Sequence, residues 1–121
     1  MATVRYLVHD VAAAVAFYTG MLGFEVKQQF GPAIAILARG DLTLWVAGPT
    51  ASAARPMPDG AKPEPGGWNR FVLTVEDLPP MVAALRGKGV LFRNEIVEGP
   101  GGRQILCEDP SGNVVELFEP A

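Results

Sequence analysis

Cysteine and histidine are nearly missing from this chain, with one of each in 121 residues. The single Cys107 excludes a disulfide within the chain and fits a reducing compartment, so a cytoplasmic protein is expected. A lone His9 leaves a catalytic zinc or iron site short of the imidazole and thiolate donors such sites draw on. Positive charge is not in excess: 10 Lys and Arg stand against 13 Asp and Glu. No basic stripe is visible, so no nucleic-acid partner is expected. No apolar run is long enough to cross a bilayer, so no membrane partner is expected either. Residues 1–6 lack the basic lead and apolar stretch of a signal peptide. What is present, 49% hydrophobic and 19% charged residues, suits a folded core that needs no disulfide or structural metal.

The chain repeats itself once. Each half opens with an alternating strand that runs into an acidic residue, Asp10 in the first and Asp77 in the second. An amphipathic stretch follows each. Val11, Val15, Tyr18 and Leu22 recur at helical spacing, as do Leu78, Val82 and Leu85. Asp10 and Asp77 are placed as N-caps. Gly23 stands where a helix-terminating glycine is expected, and Gly87 and Gly89 end the second helix. Pro79 and Pro80 are tolerated in a first turn. Strand-like runs then cover Phe24–Phe30, Ala33–Arg39 and Leu42–Val46 in the first half. Their counterparts are Val90–Val97, Arg103–Cys107 and Val114–Phe118, separated by Gly- and Pro-rich turns. The pattern is βαβββ twice, an α+β class. One such unit would be marginal alone, which predicts one domain over 1–121. Its modules are about 1–47 and 67–121. The Pro-rich linker between them, about 48–66, is too long for a tight turn, and its Arg55 and Met57 could fold over a site.

Val8-His9-Asp10-Val11, Phe17-Tyr18 and Leu22-Gly23-Phe24, with Asp109-Pro110-Ser111-Gly112-Asn113-Val114-Val115-Glu116-Leu117 near the end, resemble the vicinal oxygen chelate superfamily. That superfamily contains glyoxalase I, extradiol dioxygenases, fosfomycin-resistance enzymes and bleomycin-binding proteins. The resemblance covers nearly the whole chain outside the linker. It implies a cupped, mostly antiparallel sheet with helices on its outer face, and commonly a homodimer. It also implies where metal ligands would stand: a His seven residues before each acidic position, and a Glu near the end of each module's last strand. Those positions hold Thr3, Trp45, Arg70 and Glu116. Only Glu116 is a ligand type, since indole offers only a donor and guanidinium stays protonated. No cofactor is therefore expected, with a divalent metal as the alternative.

In place of a metal, Arg70 and Glu116 are expected to form a bidentate charge pair. Alternation adds Arg5 and Gln104 to the inward positions, with Leu7 and Phe118 lower down. Thr3, Arg5, Trp45, Arg70, Gln104 and Glu116 would line a pocket for a planar or anionic small molecule. Glu116 is also the candidate general base, a role that a neighbouring guanidinium works against. Three readings stand: a metal-independent binding or resistance protein, a lyase, isomerase or dioxygenase with an atypical site, and a non-catalytic dimeric scaffold whose cup is filled. Trp45 suits core and pocket equally. Cys107 reads as core, His9 as a surface or capping residue, and Tyr18 as core with a wet hydroxyl. Gly99-Pro100-Gly101-Gly102 reads as a hairpin turn, since no helix and no Lys-Ser/Thr pair follows it.

Overall fold

The structure is a computed structural model that describes residues 2–121. The chain divides into two compact units, Met1–Gly66 and Gly67–Ala121. In the first, strand β1 (Ala2–Leu7) leads into helix α1 (Val11–Leu22), followed by β2 (Glu25–Phe30), β3 (Ile34–Arg39) and β4 (Leu42–Ala47). The sheet order is β1-β4-β3-β2, with β1 and β4 parallel and the other pairs antiparallel. In the second unit β5 (Phe71–Thr74) and helix α2 (Leu78–Gly87) precede β6 (Leu91–Phe92), β7 (Val97–Gly99), β8 (Gly102–Glu108) and β9 (Val114–Pro120). Its order is β5-β9-β8-β6, with β7 also on β8 and β5 parallel to β9.

Period-two alternation puts one face of each sheet under its helix. Ala35, Leu37, Leu44 and Val46 are fully buried on the face that α1 covers. Ile105, Cys107, Val115 and Leu117 take the same part in the second unit, where α2 packs on β9. Tyr18 is completely buried and meets Phe17 and Phe24 edge-on at 5.1 and 5.4 Å. Its hydroxyl is therefore not wet, contrary to expectation.

The two helix starts differ, and proline is the reason. Asp10 caps α1 as expected, its Oδ1 accepting from Ala13 N at 3.3 Å. Asp77 stands at the N-cap position of α2 but makes no side-chain cap. A capping carboxylate accepts from the second or third helical N–H, and here those positions are Pro79 and Pro80. The remaining first-turn donor, Leu78 N, goes to Glu119 Oε1 at 2.7 Å. Glu119 is held in turn by Arg103, Nε to Oε2 at 2.8 Å and Nη2 to Oε1 at 3.2 Å. That fork keeps the Glu119 carboxyl below its ordinary pKa, with the Leu78 N–H adding to the effect.

Two strand boundaries also depart from expectation. The opening strands end at Leu7 and Thr74, before the acidic residues. The strand expected over Val90–Val97 is broken into β6 and β7. Between them the Asn94 side chain accepts the Leu106 N–H at 3.0 Å, and Arg93 N donates to Leu106 O at 2.9 Å. A side-chain amide thus takes over one rung of the ladder. Gly99–Gly102 closes the β7–β8 hairpin, as expected.

Segment 48–66 belongs to the first unit. Gly48 N donates to Ala33 O at 2.8 Å. A β-carbon on Gly48 would meet Val11 Cγ2 at 2.9 Å and Pro32 O at 3.0 Å, so only glycine lets the segment leave the sheet there. A 3-10 turn over Ser52–Ala54 follows. The chain then reverses through Gly60, with Met57 N donating to Ala61 O at 2.7 Å.

Candidate functional site

The sheet face opposite each helix carries the polar residues. In the first unit, strand register pairs Thr3 with Thr43 and Arg5 with Trp45, and Ile36 flanks Trp45 on the other side. Side chains of directly opposed residues share a face. The Arg5 guanidinium lies 4.8 Å from the centre of the half-buried Trp45 ring. At that distance the cation is attracted to the ring's negative face. Thr3, Arg5 and Trp45 thus come together on one face of one sheet.

In the second unit, register pairs Glu116 with Val72 and Leu106, and Phe118 with Thr74 and Gln104. Arg70, one residue before β5, reaches the same face. Its Nε and Nη2 both lie 3.0 Å from Glu116 Oε1, and its Nη1 donates to Trp68 O at 3.3 Å. The expected charge pair is therefore present, but not as a fork on both oxygens. Oε1 accepts the Nε–H, Nη2 stands beside the same oxygen as an ion pair, and Nη1 donates to the Trp68 carbonyl. Glu116 is 8% exposed, whereas 30% of the Arg70 side chain remains open to water. A cation is held at the surface of the site by an anion sunk beneath it. Gln104 shares this face, half-buried.

Sequence reasoning missed Arg93, which builds the support for Arg70. Its Nε bonds Glu108 Oε2 at 2.8 Å, Nη1 bonds Gly67 O at 2.8 Å, and Nη2 bonds Gly112 O at 3.0 Å. Its guanidinium also lies 4.5 Å from the centre of the Trp68 ring. Arg93 fixes Gly67-Trp68 against the β8–β9 turn, and Trp68 O then fixes Arg70. No sequence motif announces this, because the partners are backbone carbonyls far away in the chain. The Asp109–Asn113 turn it grips is a closed knot: Asp109 Oδ1 accepts from Ser111 N and Asn113 N, both at 2.9 Å. The resemblance to a family signature there has a structural basis.

The remaining candidates separate from these faces. His9 is exposed at the start of α1 and lines surface clefts of the first unit. Burial pushes the Cys107 thiol up to about 12, so it is neither nucleophile nor ligand at neutral pH. Arg55 and Met57 lie exposed, and other residues of 48–66 line the cleft at that end of the sheet.

In the first unit, Thr3 and Trp45 offer one hydroxyl and an indole, and in the second, Arg70 and Glu116 offer a cation and a carboxylate already ion-paired to it; neither set fits a divalent cation. Among the described residues, no three His, Cys, Asp or Glu side chains converge.

Against this background the comparisons with known proteins are decisive for the family. The model of the glyoxalase/bleomycin resistance protein/dioxygenase superfamily matches residues 1–117. The chain belongs to that superfamily. No curated protein matches it. Among solved structures, a glyoxalase/bleomycin resistance protein/dioxygenase superfamily member from Sphaerobacter thermophilus DSM 20745 is 27% identical, with TM-score 0.76, covering 97% of this chain and 94% of that one. TnmS3, an antibiotic binding protein from Streptomyces sp. CB03234, is 25% identical, with TM-score 0.73, covering 98% and 93%. A lactoylglutathione lyase from Agrobacterium tumefaciens is 20% identical, with TM-score 0.76 over 98% and 92%. At that identity the likeness is one of fold. The superfamily fold, α+β with mixed sheets, is what both units display. Among the described residues, no helix is long and apolar enough to cross a membrane.

Proposed function

We propose that this superfamily member binds a small planar or anionic molecule without a metal, in sequestration or resistance rather than in catalysis. The observation that carries this reading is Arg70 held on a single oxygen of Glu116. The pair leaves a pre-oriented cation where metal-bearing relatives are expected to place a ligand. Guanidinium suits carboxylates and aromatic faces in a way a point charge does not. Arg5 over Trp45 adds a second cation–aromatic element in the first unit. The similarity to an antibiotic binding protein supports the same direction. Glu116 as a general base is disfavoured, because its Oε1 already accepts the Arg70 Nε–H and is ion-paired to the guanidinium. Within this reading the protein works in the cytoplasm, where its one thiol stays unpaired, and as a homodimer. The outer edges of β1 and β5, each last in its own sheet, support pairing with a second copy.

Native mass spectrometry of the purified protein tests the reading. A small molecule retained by the wild type and released in Arg70→Met supports it. A protein that emerges empty and shows no saturable binding to a panel of aromatic carboxylic acids would sink it.

A further inference from the structure

The segment 48–66 does more than connect. With the ends of β1 and β4 it lines a cleft of about 400 Å3 within the first unit. Leu7, Ala47, Ala54, Pro49, Pro56, Pro63 and Pro65 line it. Proline rings are rigid and present flat apolar surface without an N–H to satisfy. The wall is thus formed before any ligand arrives, which lowers the ordering cost of binding. The turn that brings Pro56 back beside Lys62 is tied by three bonds. Met57 N and Gly60 N donate to Ala61 O and Met57 O, at 2.7 and 2.8 Å. Ala61 N donates to Asp59 Oδ1 at 3.0 Å.

The cleft is also lined by His9, and its rim carries one charge of each sign, Lys62 and Glu64. Neither has an ion pair or hydrogen bond among the described residues. They do not pair with each other, although both line the same opening. A proline-walled cleft of this size with a cation and an anion at its mouth complements a molecule with an apolar body and a zwitterionic head.

We infer that the cleft beneath the 48–66 segment binds a free α-amino acid with an aromatic or large aliphatic side chain. The carboxylate meets Lys62, the ammonium meets Glu64, and the side chain enters between the prolines. This site is independent of the Arg70–Glu116 reading, since all its residues belong to the first unit.

The test is a titration of the full chain followed by amide chemical shifts, with L-phenylalanine as probe. N-acetylphenylalanine lacks the ammonium, and phenylalaninamide lacks the carboxylate. Saturable shifts at Ala47, Ala54 and Lys62 are expected with phenylalanine. Each single-charge analogue should bind about threefold more weakly, the scale of an exposed ion pair. Lys62→Ala should erase the preference over the amide, and Glu64→Ala the preference over the acetylated form. Both residues are exposed, so neither change threatens folding. The Lys62→Glu/Glu64→Lys exchange should bind phenylalanine again. Arg70→Met should leave all of these shifts in place, which separates this site from the one above. Absence of saturable shifts, or equal affinity for all three probes, overturns the inference.

Discussion

Arg70 is held on one oxygen of Glu116, and this asymmetry dictates what single substitutions do. Arg70→Met leaves a carboxylate that is 8% exposed without its counter-charge. An orphaned buried acceptor costs about 1–3 kcal/mol. The lower end is expected here, because water already reaches the guanidinium side. Glu116→Gln keeps an acceptor oxygen in place and should cost less than Arg70→Met. Chemical denaturation of both variants, with the double mutant, measures the coupling. Equal losses in all three would mean that the pair acts only as a unit. Arg93→Met should loosen Trp68 and, through the Trp68 carbonyl, the hold on Arg70, read as weaker ligand retention in native mass spectrometry. Cys107 supplies a control at the same scale. With its thiol pushed up to about 12, it should resist a thiol reagent at neutral pH until denaturant unfolds the chain. Labelling of native protein at the rate of a free thiol would contradict its burial.

Elements were legible in the sequence where local chemistry decides them. The helix stripes, Gly23, the Asp10 cap and the hairpin at Gly99–Gly102 follow from spacing and turn residues alone. The failures have equally local causes. Pro79 and Pro80 remove the very N–H groups that Asp77 would cap, a signal present in the sequence but readable only by counting helix positions. That Glu119 replaces Asp77 could not be read, because it depends on a strand residue 41 positions away. The break between β6 and β7 hangs on Asn94 reaching a backbone N–H across the sheet. These findings make the start of α2 acid-sensitive. The Glu119 carboxyl sits below its ordinary value of 4.5, through Arg103 first and the Leu78 N–H second. A carboxyl lowered in the folded state stabilises fully above its unfolded value and loses that contribution as pH falls through the folded one. Glu119→Ala should therefore lower stability at neutral pH and flatten the acid limb of a denaturation–pH profile. Glu119→Gln should restore part of the neutral-pH loss, since its amide oxygen can still accept from Leu78 N. Gly102 makes a second prediction at this scale. Its φ is +144°, and an added β-carbon would collide with Glu119 O. Gly102→Ala should cost about 1–3 kcal/mol of backbone strain and unseat the same carboxylate, read as a drop in Tm.

At the scale of the whole chain, the two units repeat a scaffold and diverge in the chemistry on their open faces. Strand order, the parallel pairing of first and last strand, and the helix on one face recur in both. The positions where the superfamily resemblance implies His and Glu do not recur: Thr3 stands against Arg70, and Trp45 against Glu116. The scaffold was legible because strand alternation assigns faces without reference to packing, and the substituted positions because the superfamily resemblance marks them. Which donors are engaged, and by what, was not. The engaged donors decide the last prediction. A metal bound only by the folded state at a thousand times its Kd would add about 4 kcal/mol to stability, and its removal would be conspicuous. Here Glu116, the one ligand type among the four positions, is already neutralised by Arg70. A cation entering there would have to displace the Arg70 guanidinium from Glu116. Dialysis against a chelator should therefore leave both Tm and ligand retention unchanged, and elemental analysis should find no stoichiometric zinc, nickel, iron or manganese. A Tm that falls on chelation and returns with one divalent ion would show that Arg70 yields its place on Glu116 to a metal, and the binding reading would give way to a metal-dependent one.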